Sequence, residues 1–134
     1  MKRLLVLPLA FVAACKPPTP AESMDAALSW VGTAGMAGDA WLRHTTPDKY
    51  TRQTLDLSGQ TLLQIGRDLR KSPRPAVDNA MIDTALARSR SHIARMSRLV
   101  VEKNAPDFRT QLDSLRQDQK LVKQLADSIE ASSK

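Results

Sequence analysis

The sequence predicts an all-α fold, an antiparallel up-down-up-down four-helix bundle, on three observations. Apolar residues recur at alternating spacings of three and four over four long stretches. Short segments rich in Pro, Ser, Thr and Asn separate these stretches, around residues 45–47, 72–75 and 104–106. No apolar-polar alternation of strand length competes with them, and the hairpin dipeptides Asn-Gly and Asp-Gly are absent. Short connections between consecutive amphipathic helices favour antiparallel neighbours.

The chain opens differently. Lys2 and Arg3 precede an apolar run from Leu4 to Val12, followed by Ala13, Ala14 and Cys15, the only cysteine among 134 residues. A positive start, a short apolar centre and small residues are the layout of a secretory signal, too short for a stable membrane span. The stretch Val12-Ala13-Ala14-Cys15 resembles the lipobox of bacterial lipoproteins, with Val12 in place of the commoner Leu. That resemblance covers only the N-terminal segment. It implies cleavage between Ala14 and Cys15, a diacylglycerol on the Cys15 sulfur and an acylated amino group. It also implies attachment to the membrane of a bacterial envelope. Lys16 at the following position, where Asp would retain an enteric lipoprotein in the inner membrane, points to the outer membrane facing the periplasm. The competing reading is an ordinary signal cut after Ala14, which leaves a free thiol with no intramolecular partner. One acyl chain anchors only marginally, whereas two or three hold firmly.

Removing residues 1–14 from 134 leaves 120, enough for one domain with one core. The formal charge of +6 falls to +4 when Lys2 and Arg3 leave with the signal. A modest positive charge fits anionic envelope polymers or lipid heads, and equally a solvated surface. Nucleic acid is not an expected partner, because aromatics make up only 4% of the chain and supply no stacking platform. Pro17, Pro18 and Pro20 make residues 16–20 a stiff tether, roughly 15 Å long at polyproline II rise.

The first helical segment is expected over 21–43. Met24, Ala27, Leu28, Val31, Gly35, Gly38 and Leu42 form one face, and Trp30, Ala34, Ala37 and Trp41 an adjacent one. Gly32, Gly35 and Gly38 recur every third residue, each costing about 1 kcal/mol relative to Ala in a helix. They mark either a close helix contact within the bundle or a kink, or else a dimer seam or ligand cavity. An oligomer through this helix is one outcome.

The second segment is expected over 47–71, with Thr46 as N-cap, Pro47 opening the helix and Leu55, Ser58, Leu62, Ile65 and Leu69 facing the core. The third, over 75–103, turns Ile82, Leu86, Ser89, Ile93, Met96 and Val100 inward. The fourth, over 105–131, is capped by Asn104 and carries a heptad-like seam of Phe108, Leu112, Leu115, Gln119, Val122, Ala126 and Ile129.

Chemistry-bearing constellations are sparse. His44 and His92 are the only histidines, and Glu22, Glu102 and Glu130 the only glutamates. The Glu-x-x-His pairs of di-metal bundles are absent, as is the Cys-x-x-Cys-His of attached haem, so no cofactor or metal is expected. No Ser-His-Asp or Cys-His set is readable, and no enzyme is expected. Arg88, Arg95 and Arg98 share one flank of the third segment and form a candidate anion-binding surface; Arg67, Arg70, Lys71 and Arg74 cluster at the end of the second. Interspersed Asp68, Asp83 and Glu102 allow the plainer reading of a solvated face. The expectation is therefore an envelope lipoprotein acting as a non-catalytic binding or structural module, with the membrane, an anionic polymer or another envelope protein as partner. The alternatives are a small-ligand carrier using the bundle interior beside the first helix, and a minor envelope enzyme.

Overall fold

The computed structural model describes residues 16–72 and 76–132, the side chains of 76–78 excepted. Ala14 and Cys15, and with them the lipobox-like stretch, lie outside the described residues, as does Arg74. Four helices follow in order: α1 (Pro20–Leu42), α2 (Asp48–Arg70), α3 (Ala76–Glu102) and α4 (Ala105–Ser132). Each packs along its sequence neighbour, α4 closes back onto α1, and α1 touches α3 only lightly across the diagonal. This is the expected up-down-up-down bundle.

The helix ends follow local chemistry. Thr19 caps α1 through a reciprocal capping box with Glu22, and Pro20 occupies the first turn where its missing N–H costs nothing. The helix therefore starts inside the expected tether, which shortens to residues 16–19. At α2 the cap falls on Pro47, which offers no side-chain bond, and not on Thr46. Asn104 caps α4: its Oδ1 accepts from the Asp107 N–H, and its amide donates to the Asp107 carboxylate. Helices α1 and α3 end in the same way. His44 and Lys103 both adopt left-handed backbone, φ 57° and 54°. Paired bonds run from His44 N to the Trp41 carbonyl and from Thr45 N to Ala40, and likewise from Lys103 N to Val100 and from Asn104 N to Leu99. Both are Schellman closures carried by residues with a β-carbon.

One apolar core runs the length of the bundle, with Phe108, Met24, Leu55, Leu62, Met96 and Leu115 among its fully buried side chains. The α1 face that turns inward combines the two expected stripes: Met24, Ala27, Val31, Gly35 and Gly38 are buried from one, Ala34 and Trp41 from the other. Trp41 is drawn in because its ring packs on Phe108 at 4.5 Å between centroids.

Each of the four helix interfaces also carries a polar tie. Trp41 Nε1 donates to Asp48 across the α1–α2 turn at 2.8 Å. Ser97 Oγ donates to Asp56 at 2.8 Å, and Arg70 Nε meets Asp83 at 3.2 Å, between α2 and α3. His92 and Arg88 meet Asp118 between α3 and α4, and Arg116 binds Asp39 between α4 and α1. Apolar packing tolerates sliding by a turn, whereas these pairs are satisfied in one register only.

Candidate functional site

The three arginines expected to act together stand in two environments. Arg88 is exposed, but its Nη2 lies 3.5 Å from Asp118 Oδ1 on α4. Arg95 and Arg98 border a shallow surface cavity of about 290 Å³ that also contains Glu102 and Asp107. Seven residues of helix place Arg88 roughly 10 Å from Arg95 along the axis. The flank is thus divided, with Arg88 beside Asp118 and with Arg95 and Arg98 bordering the same cavity as Glu102 and Asp107.

The concentrated chemistry sits at Asp118, whose side chain is only 2% exposed. Its position suits the α4 seam, three residues after Leu115 and four before Val122, both buried. The register of α3 against α4 brings His92 alongside: Nε2 lies 3.3 Å from Asp118 Oδ2, while Nδ1 lies 2.8 Å from Gln111 Oε1. With the Gln111 amide so assigned, its oxygen accepts a proton carried on Nδ1. A bare Nε2 and a bare carboxylate oxygen would then repel, so attraction requires one further proton on the ring or on Asp118. Burial pushes the Asp118 carboxyl above its ordinary pKa of 3.8, and His92 and then Arg88 pull it part of the way back. Asp118 Oδ2 has no hydrogen-bond partner among the described residues. His92 has no serine, threonine or cysteine partner there. The cluster ties α3 to α4 in one register.

Gly32, Gly35 and Gly38 are not equivalent. A β-carbon on Gly38 would meet Met96 Cε at 2.9 Å and both Leu112 and Phe108 at 3.2 Å, so here the helices close onto bare backbone. On Gly32 it would reach only the Gln119 amide at 3.4 Å, and on Gly35 nothing within 4 Å, although Gly35 is buried. The close intramolecular contact belongs to Gly38 alone, where one-residue-in-three spacing had suggested a continuous stripe.

Sequence periodicity did not reveal the grooves outside the core. One lies between α2 and α3, with a volume of about 350 Å³, where Leu55, Leu63, Ile93 and Ala94 stand beside Asp56, Gln60 and Arg90. Another, at the α1–α2 turn, has Trp41 and His44 on its rim. No group of three or more His, Cys, Asp or Glu side chains suited to a metal occurs among the described residues. No helix among them is long and apolar enough to cross a membrane. Comparison of the chain with protein-family models, with curated proteins and with solved structures finds no match.

Proposed function

We propose that this chain is an envelope-anchored lipoprotein whose helical domain acts as a non-catalytic binding or structural module. The observation that carries the reading is the placement of Cys15. It closes a signal-like segment and stands four residues before Thr19, the cap of the first core helix. Cleavage before Cys15 would therefore leave the whole bundle intact. The remaining tether, residues 16–19, spans roughly 12 Å in polyproline II form.

An anchor at Cys15 would orient the domain. Antiparallel packing puts the start of α1 and the end of α2 at the same end, so Arg67, Arg70 and Lys71 would face the bilayer. Arg95 and Arg98 lie near the other end, roughly 30 Å along α3 from its first residue. In an upright domain they would meet a soluble polymer or protein rather than the anchoring lipid. The non-catalytic part of the reading rests on Asp118 and His92 being engaged with each other, with Arg88 and with Gln111.

Cys15→Ser tests the anchor. The variant should lose membrane retention, and the intact mass of the native protein should include a diacylglycerol and an N-acyl chain. A variant that is processed normally and still retained would overturn the reading.

A further inference from the structure

We infer that the α2–α3 groove is a binding site for a single-chain amphiphilic oxyanion, an acyl tail carrying a carboxylate or phosphate head. The inference deepens the binding-module reading by naming a ligand class, and it does not depend on Cys15.

Three observations carry it. The first is the floor. Gly59 and Gly66 are seven residues apart on α2, so they repeat on the same face. A β-carbon at either would only just touch α3, 3.9 Å from Ile93 and 3.8 Å from Leu86. The missing side chains leave a trough between the helices, floored by Leu55, Leu63 and Ile93. A second, narrower cavity of about 150 Å³ continues it past Gly66, and Leu63 and Arg90 border both.

The second observation is Arg90, which stands where the two cavities meet. Its Nε is buried and has no acceptor among the described residues. A guanidinium nitrogen without an acceptor in an apolar setting is costly, and a carboxylate or phosphate is the group whose paired oxygens match its edge.

The third is the balance of the surrounding charges. Asp56, at the apolar end, accepts from Ser97, and Asp83, at the other end, is held by Arg70. Arg67 borders the narrower cavity and makes no ion pair among the described residues. Arg90 and Arg67 thus outnumber Asp56, the one carboxylate bordering the trough that no cation pairs among the described residues. A head at Arg90 and Arg67, with its tail toward Leu55 and Ala94, satisfies both halves.

The test titrates the full chain with dodecanoate, dodecyl phosphate, dodecanol and acetate by calorimetry, each below its aggregation concentration. At least one of the two amphiphilic anions should bind saturably, at least tenfold more tightly than dodecanol or acetate, and the tighter of the two identifies the head. Arg90→Gln should weaken that binding at least tenfold. Ala94→Trp, which fills the trough from an exposed position and leaves the core untouched, should abolish it. Arg90→Lys should recover part of the affinity lost in Arg90→Gln, which a purely structural arginine would not do. No saturable binding of either anion, equal binding of dodecanol, or unchanged affinity in Arg90→Gln or Ala94→Trp would overturn the inference. Membrane retention of Cys15→Ser is a separate readout, so failure of one reading leaves the other standing.

Discussion

Gly38 and Met96 are packed so closely that a β-carbon on the glycine would lie 2.9 Å from the Met96 methyl group. Leu112 and Phe108 close the same spot from α4, and Phe108 in turn packs at a tilt against Trp41. One absent side chain thus lets α1, α3 and α4 converge at the end of the core nearest the α1–α2 turn.

The contrast with Gly35 gives a paired prediction. Gly35→Ala adds a methyl where nothing lies within 4 Å, so helix propensity alone should act, raising stability by up to about 1 kcal/mol. Gly38→Ala gains the same propensity but overpacks three neighbours, which typically costs about 1–3 kcal/mol. It should therefore be the less stable of the two by at least about 1 kcal/mol. Urea unfolding of both variants checks this; equal gains would show that the Gly38 contact relaxes freely.

The fold was legible because its signals are local. The alternating spacings along α3 and α4 name the buried Ile82, Leu86, Ser89, Ile93, Met96, Phe108, Leu112 and Leu115 correctly, and the helix bounds move by a residue. What depends on pairing between helices was not legible. Spacing gave the α4 seam position to Gln119, which is only half-buried, whereas Asp118 beside it is buried against His92 and Arg88, a pairing that only the register supplies. Gly32, Gly35 and Gly38 look alike as letters and differ only in what stands opposite. Arg88, Arg95 and Arg98 share a flank as sequence predicts, but the carboxylates that divide them come largely from α4. The α2–α3 groove arises from side chains that Gly59 and Gly66 lack, which a periodicity of apolar residues does not register.

A second prediction concerns the two left-handed closures. Lys103 and His44 each place a β-carbon in a backbone region that costs roughly 1–2 kcal/mol for residues other than glycine. Glycine removes that strain but loses more entropy on folding, by roughly 0.5–1 kcal/mol. Lys103→Gly should therefore stabilise the bundle by about 0.5–1 kcal/mol, and His44→Gly should act in the same direction. Lys103→Ala retains the β-carbon and should bring no such gain. Thermal melting of the three variants separates relief of strain from loss of charge, since both Lys103 variants remove the same charge.

The third prediction is the pH dependence carried by Asp118. Its folded pKa lies above the ordinary 3.8, with burial as the leading cause. The folded state therefore holds this proton more tightly than the unfolded chain does. The resulting stabilisation is fully present below the unfolded value and is lost as pH rises through the folded one. Asp118→Asn keeps the shape and cannot ionise. At low pH, where Asp118 is protonated in both states, variant and parent should differ little. As pH climbs above 3.8 and through the raised folded value, the variant should gain on the parent, reaching a constant advantage once Asp118 is ionised in both states. His92 is the larger of the two influences, ahead of Arg88, that draw Asp118 back toward its ordinary value. His92→Gln should accordingly enlarge the advantage of Asp118→Asn. Melting curves of the four proteins (parent, two single variants and the double) across the acidic and neutral range measure it. A difference between parent and Asp118→Asn that shrinks as pH rises would mean that His92 and Arg88 outweigh burial, and that the buried carboxylate strengthens the α3–α4 interface in its charged form.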